Sequence, residues 1–170
     1  MSLTVGSLCT GYGGLELGLA EVVDVDVRWH CEISAEAGAV LDARYSRVPN
    51  HGDIAAVGWS VVESVDVLSA GFPCQPVSLA GRRKVTEDDR WLWPDVADAI
   101  RILRPRAVVL ENVTGLLAPS DRYPAPAGGV LGDLAALGFD AGWCCIRASE
   151  IGAPHDRDRI FIVATDAGGA

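Results

Sequence analysis

The alternation of two hydrophobic periods along the chain limits its fold more than any other feature. Strand-like runs at 4–10 (TVGSLCT), 25–32 (VDVRWHCE), 65–71 (VDVLSAG) and 107–112 (AVVLEN) are each followed by a helical pattern before the next strand. After the first run, Leu15, Leu19 and Val22 fall on one helical face. After the second, Ser34 is placed to cap a helix over 34–46. After the third, Pro94 opens a helix whose Val96, Ile100 and Leu103 share a face, and Pro105 stops it. After the fourth, a helix over 129–138 ends at Gly138. Two more strands, 139–149 and 159–165, finish the chain, and the Pro- and Gly-rich stretch 118–129 reads as a surface loop. Apolar runs such as 107–110 belong in parallel sheets covered on both faces. The order predicts an α/β fold with a mostly parallel, doubly wound sheet and ligands at the carboxyl ends of its strands.

With 170 residues, 49% of them hydrophobic, the chain suffices for one domain with its own core. No window has the pattern of a signal peptide or the length of a membrane span. Five cysteines, an odd number without a CxxC pair, argue for reduced thiols in a cytoplasmic protein, and against a disulfide framework or a zinc site. The net charge of −9 is unevenly spread: residues 1–70 hold 10 acids and 3 bases, residues 71–170 hold 13 and 11. Any cationic face for a polyanion therefore lies in the second half, near Arg82–Lys84, Arg101–Arg106 and Arg157–Arg159. From charge alone, a solvated acidic surface is the simpler reading.

The segment CTGYGGLELG follows the first strand and opens a helix. Gly11, Gly13 and Gly14 permit a tight turn and close approach to a ligand. The dinucleotide fingerprint requires a third glycine where this chain has Glu16, and a carboxylate there would repel a pyrophosphate. It suits a phosphate-free cofactor bearing a positive sulfonium, such as S-adenosylmethionine. Glu32 ends the second strand 21 residues after Gly11, where an acid accepts hydrogen bonds from a ribose diol. Asp53 is placed to meet an adenine amino group. Ligand-free glycine turns and a surface role for Glu32 remain the simpler alternatives, and a nicotinamide oxidoreductase is the runner-up from the loop alone.

Cys74 lies just past a strand end, between Pro73 and Pro76. The prolines fix φ and stiffen the loop, and Arg82, Arg83 or Lys84 would favour a thiolate. An inert buried thiol fits Cys144 and Cys145 better than Cys74. Glu111 ends an apolar strand, where desolvation would raise its pKa and let it donate a proton; capping the next turn is the alternative, with Asn112 as a turn residue. Arg157 and Arg159, at i and i+2, fall on one strand face. They are either two forks aimed at a ligand or phosphate, or a charged strand entrance paired with Asp156 and Asp158.

Taken together, SLCTGYGG, GFPCQPVS, ENV (111–113) and HDRDRIFIVA resemble, in order, the motifs of the cytosine-5 DNA methyltransferases of bacterial and phage type. The resemblance spans nearly the whole chain. It implies a Rossmann-like S-adenosylmethionine-dependent methyltransferase fold over 1–170 and double-stranded DNA as the substrate. It implies a flipped cytosine attacked at carbon 6 by Cys74, with Glu111 on the base, Asn112 bracing the site, and Arg157 and Arg159 holding the base, sugar or phosphate. It places Cys9, Gly11, Gly13, Gly14, Glu32, Ile33, Asp53, Ile54, Gly71 and Pro73 around S-adenosylmethionine. No metal or membrane is implied.

Three departures stand out. Cys9 replaces the family's usual aromatic residue, and His155 stands where glutamine is common. The family also continues into a target-recognition domain and a C-terminal helix, both expected to be absent from these 170 residues. The chain is expected to be a truncated enzyme, or one subunit of a split enzyme whose partner chain carries the recognition domain. The alternatives are a cofactor-binding remnant without chemistry of its own and an RNA cytosine-5 methyltransferase.

Overall fold

The computed structural model describes residues 2–73, 91–119 and 125–168. Six strands, β1 (Leu3–Leu8), β2 (Val25–Cys31), β3 (Val67–Ala70), β4 (Ala107–Val113), β5 (Phe139–Arg147) and β6 (Asp158–Asp166), form one sheet in the order β2-β1-β3-β4-β6-β5. The pairs β1/β2, β1/β3 and β3/β4 are parallel, whereas β6 runs antiparallel to both β4 and β5. Among the described residues the α-helices are α1 (Gly14–Ala20), α2 (Ala35–Arg44), α3 (Trp93–Leu103) and α4 (Pro126–Ala136). The mostly parallel α/β sheet expected from the periodicities is present.

Local chemistry sets the element ends. Ser34 caps α2, its hydroxyl accepting from the Ala37 amide at 3.2 Å. Helix α3 has its proline in the first turn and buries Val96, Ile100 and Leu103, the face its spacing predicted. Each buried aliphatic side chain contributes about 1.5–3 kcal/mol. Two expectations fail. Val22 is not on the α1 face: the helix ends at Ala20 and Val22 is exposed. The stretch 118–129 is not all loop, because Pro126 starts α4; proline at the first helical position loses no intrahelical bond.

The main core fills the space between the sheet and α3 and α4. It joins Leu8, Trp29, Leu68, Leu110, Ile160 and Ile162 to the inner faces of those helices. Trp29 governs the packing of β1: a Cβ at Gly6 would lie 2.1 Å from the indole ring. The β1/β2 register shifts at that point, between Val5 and Gly6. The opposite side of β1, β2 and β3 is more polar. Ser7, His30, Ser69 and, from α1, Glu16 are buried there. Among the described residues, no helix is long and apolar enough to cross a membrane, and no group of three or more His, Cys, Asp or Glu is placed to hold a metal.

Candidate active site

Beyond Leu8 the backbone turns sharply through positive φ at Cys9 (50°), Gly11 (57°) and Gly13 (79°). Glycine takes this conformation freely; Cys9 does so at a cost, held in place by its neighbours. The Thr10 amide donates to the Cys31 carbonyl at 3.2 Å, and the Thr10 hydroxyl donates to Ser7. Three ties hold the rest of the loop. The Gly11 amide donates to Glu32 Oε2 at 2.7 Å, Arg44 donates to the Tyr12 carbonyl at 2.6 Å, and the Gly13 amide donates to the Thr10 carbonyl. Glu32 Oε1 accepts in turn from the Ser34 amide at 2.8 Å. Both carboxylate oxygens are thus oriented by main chain, and each keeps a lone pair for a ligand.

A cavity of about 570 Å³ opens at the carboxyl ends of β1, β2 and β3. Of the residues expected around a cofactor, Cys9, Glu32, Ile33, Asp53, Ile54, Gly71 and Pro73 line it. Cys31, Gly52 and Leu92 also line it, and the sequence reading did not single them out. Ile33 is 75% exposed, an apolar side chain held at the mouth rather than in the core. Asp53 caps a short 3-10 turn through the Ala55 amide at 3.0 Å. Among the described lining residues Glu32 and Asp53 are acidic and none is a cation.

A second cavity of about 420 Å³ adjoins the first, sharing Cys9 and Gly71. Gly11, Gly14, Glu111 and Arg157 border it, with Tyr12, Leu15 and Phe161, which sequence reasoning missed. Gly13 borders neither cavity; its missing Cβ admits Tyr45, whose ring would lie 3.3 Å away. Glu16 is also on the second cavity's border, but its carboxylate does not project outward from the helix start as expected. It is buried and accepts a hydrogen bond from the Ser69 hydroxyl.

Burial governs the two cavity thiols. Cys9 is pushed up to about 12, first by desolvation and then by the negative charge of Glu32. Cys31 is likewise pushed up to about 12, by desolvation and then by Cys9. Both are neutral at physiological pH and unsuited to nucleophilic attack. Cys144 and Cys145 correct the expectation of buried thiols: both are exposed, because β5 is the sheet's outer strand. Cys74 and the cations Arg82, Arg83 and Lys84 lie outside the described residues. Phe72 and Pro73, which lead into Cys74, are described. Phe72 is buried, with its ring against Trp91 and Trp93.

Glu111 is not an isolated desolvated acid. Its Oε1 meets Arg159 Nε at 2.6 Å, with both side chains about three-quarters covered. The β4/β6 register produces the pair: Arg159 lies opposite Val113, two residues along from Glu111 on the same face. The other oxygen, Oε2, would lie 3.6 Å from a Cβ at Gly71, so glycine at 71 leaves the acid open to the joined cavities. The local pairing considered for the arginines does not form. Asp158 pairs with Arg147 at 2.8 Å, and Asp156 accepts from the Ser149 hydroxyl at 2.6 Å. Arg157 precedes β6 rather than belonging to it. Asn112 points to the opposite face, donating to the Phe72 carbonyl at 3.0 Å and accepting from the Val113 amide at 2.8 Å. It ties the end of β4 to the segment entering Cys74.

The profile of the C-5 cytosine-specific DNA methylases matches residues 3–169. The Type II methyltransferase M.NaeI of Lentzea aerocolonigenes is 36% identical over 169 residues, covering 96% of this chain and 40% of that enzyme. M.NgoBV of Neisseria gonorrhoeae is 32% identical over 169 residues, covering 93% of this chain and 40% of its own length. Among solved structures, the Dnmt2 methyltransferase of S. pombe superposes with a TM-score of 0.77 at 21% identity, covering 97% of this chain and 51% of that one. The fold is shared, and the chain spans about two fifths of these curated relatives. A match from Leu3 almost to the end of the chain, with relatives above 30% identity, makes this chain a member of the C-5 cytosine-specific DNA methylase family.

Proposed function

We propose that residues 1–170 form the cofactor-binding and catalytic part of an enzyme that methylates carbon 5 of cytosine in double-stranded DNA. The observation that carries this reading is the meeting of the two cavities at Cys9 and Gly71. One cavity has the walls for S-adenosylmethionine; the other brings Glu111 and Arg157 to the segment that runs into Cys74. Ile33, Ile54 and Leu92 would hold the adenine, Asp53 its amino group and Glu32 the ribose diol. When bound, the cofactor supplies an electrophilic methyl group.

This chain's own residues do the rest. The Cys74 thiolate adds to carbon 6 of a flipped cytosine, and the electron pair of the 5,6 double bond moves to carbon 5. Glu111, held by Arg159, meets the ring edge, where in its protonated form it would donate its proton to ring N3 and so steady the negative charge that the addition puts on the ring. Once carbon 5 is methylated, loss of its proton to a base restores the double bond and expels the thiolate. Cys9 and Cys31, both pushed up to about 12 by burial, are poorly suited to that attack, and Cys74 follows directly on Pro73, which lines the first cavity. Arg157 holds the sugar or a flanking phosphate, and Asn112 fixes the approach to Cys74.

The chain spans about two fifths of the length of its curated relatives. The test is expression of this chain in a host without cytosine methylation, followed by bisulfite sequencing, with Cys74→Ser as control. Methylation in a fixed context that the mutant loses supports a self-sufficient enzyme. None, from a folded chain, would count against methyl transfer by these residues alone.

A further inference from the structure

Glu16 is buried to 1% exposure, the only Asp, Glu, Lys or Arg so buried among the described residues. Among the described residues no ion pair to it forms, and the nearby His30, also buried, has both ring nitrogens without a hydrogen-bond partner. Its Oε1 takes the Ser69 hydroxyl, and its Oε2 has no hydrogen-bond partner among the described residues. Burying a carboxylate this way is costly, and an aliphatic residue would fill the position at less expense. The location shows what the bond joins. Glu16 lies in the first turn of α1, two residues past Gly14, and Ser69 lies on β3, four residues before Pro73. The Ser69 hydroxyl also lies 3.5 Å from the Gly6 carbonyl on β1. The bond therefore connects the two segments that border the second cavity, the glycine loop on one side and the Gly71 exit on the other. Helix α1 has only seven residues and itself starts on Gly14, and the loop before it contains Gly11 and Gly13, so each tie to the sheet narrows what would otherwise be a wide set of loop conformations.

We propose that Glu16 is a positioning residue. Its hydrogen bond to Ser69 locks the glycine loop to β3, so that the cofactor cavity and the strand leading to Cys74 keep one fixed spacing. The inference rests on the reading of these cavities as an S-adenosylmethionine site.

The test compares wild type, Glu16→Gln, Glu16→Ala, Ser69→Ala and the double alanine variant. Three quantities are measured: S-adenosylmethionine affinity by calorimetry, melting temperature, and amide hydrogen exchange over residues 10–17. Glu16→Gln keeps the acceptor, so it should bind within about 3-fold of wild type, whereas either alanine variant should lose about 10-fold. The double variant should lose no more than the worse single one, since one bond is removed in each case. Exchange over 10–17 should quicken in the alanine variants and stay slow in Glu16→Gln. Unchanged affinity and exchange in a folded alanine variant would overturn the proposal, even with a lowered melting temperature. So would Glu16→Gln failing as badly as Glu16→Ala, because charge rather than the hydrogen bond would then be responsible. Wild type that binds no cofactor would remove the functional reading, while the exchange data would still decide the role of Glu16.

Discussion

Asn112→Ala offers a stability test of how the approach to Cys74 is held. The side chain is 3% exposed and makes two hydrogen bonds, one to the Phe72 carbonyl and one from the Val113 amide. Alanine removes both and leaves the Phe72 carbonyl unsatisfied inside the core. A stranded buried carbonyl costs about 1–3 kcal/mol and the second bond about 1 more, so the total is about 2–4 kcal/mol. In a chain of this size each kcal/mol lowers the melting temperature by about 2–4 °C, which puts the expected drop at roughly 5–15 °C. Differential scanning calorimetry of the two proteins reads it directly. Asn112→Asp separates the two bonds: it keeps the acceptor for Val113 but sets an oxygen against the Phe72 carbonyl, so it should be at least as damaging at pH 7. A melting temperature within about 2 °C of wild type for Asn112→Ala would refute the reasoning, because no buried bond of that kind could then exist.

Other outcomes follow from the same geometry. Gly6→Ala, whose Cβ would lie 2.1 Å from the Trp29 ring, should cost about 1–3 kcal/mol by overpacking, read by urea denaturation. In a Cys74→Ser background at pH 8, a thiol reagent should modify the exposed Cys144 and Cys145 in the folded chain and spare Cys9 and Cys31 until unfolding. Burial pushes those two thiols up to about 12 in the folded chain, from an ordinary value of 9.0. Between these values the folded chain binds more protons than the unfolded one, so stability should fall as pH rises from 9 towards 12. Cys74→Ser should abolish methyl transfer yet keep cofactor affinity within about 3-fold; a larger loss would mean that the loop is structural.

Much of this arrangement is legible in the sequence, for identifiable reasons. The sheet, the Ser34 cap and the α3 face follow from periodicity and capping chemistry, which act over a few residues. The glycine loop and Glu32 are legible because a tight turn followed by an acid at the next strand end is itself a local pattern. What is not legible depends on strand register. The Glu111–Arg159 pair spans 48 residues and exists because β6 runs antiparallel beside β4. The spacing of Arg157 and Arg159 points instead to Asp156 and Asp158, which find other partners. The burial of Glu16 against Ser69 joins α1 to β3 across 53 residues, and nothing local signals it. The exposure of Cys144 and Cys145 follows from β5 being outermost, a property of strand order.

The central claim is that the cavity beside Glu32 takes S-adenosylmethionine. Isothermal titration of the folded chain with that cofactor, beside Glu32→Ala, tests it most directly. The account predicts one site, weakened about 10-fold or more when the oriented carboxylate is removed. A folded wild-type chain that binds none, or a Glu32→Ala variant that binds as tightly, would contradict it.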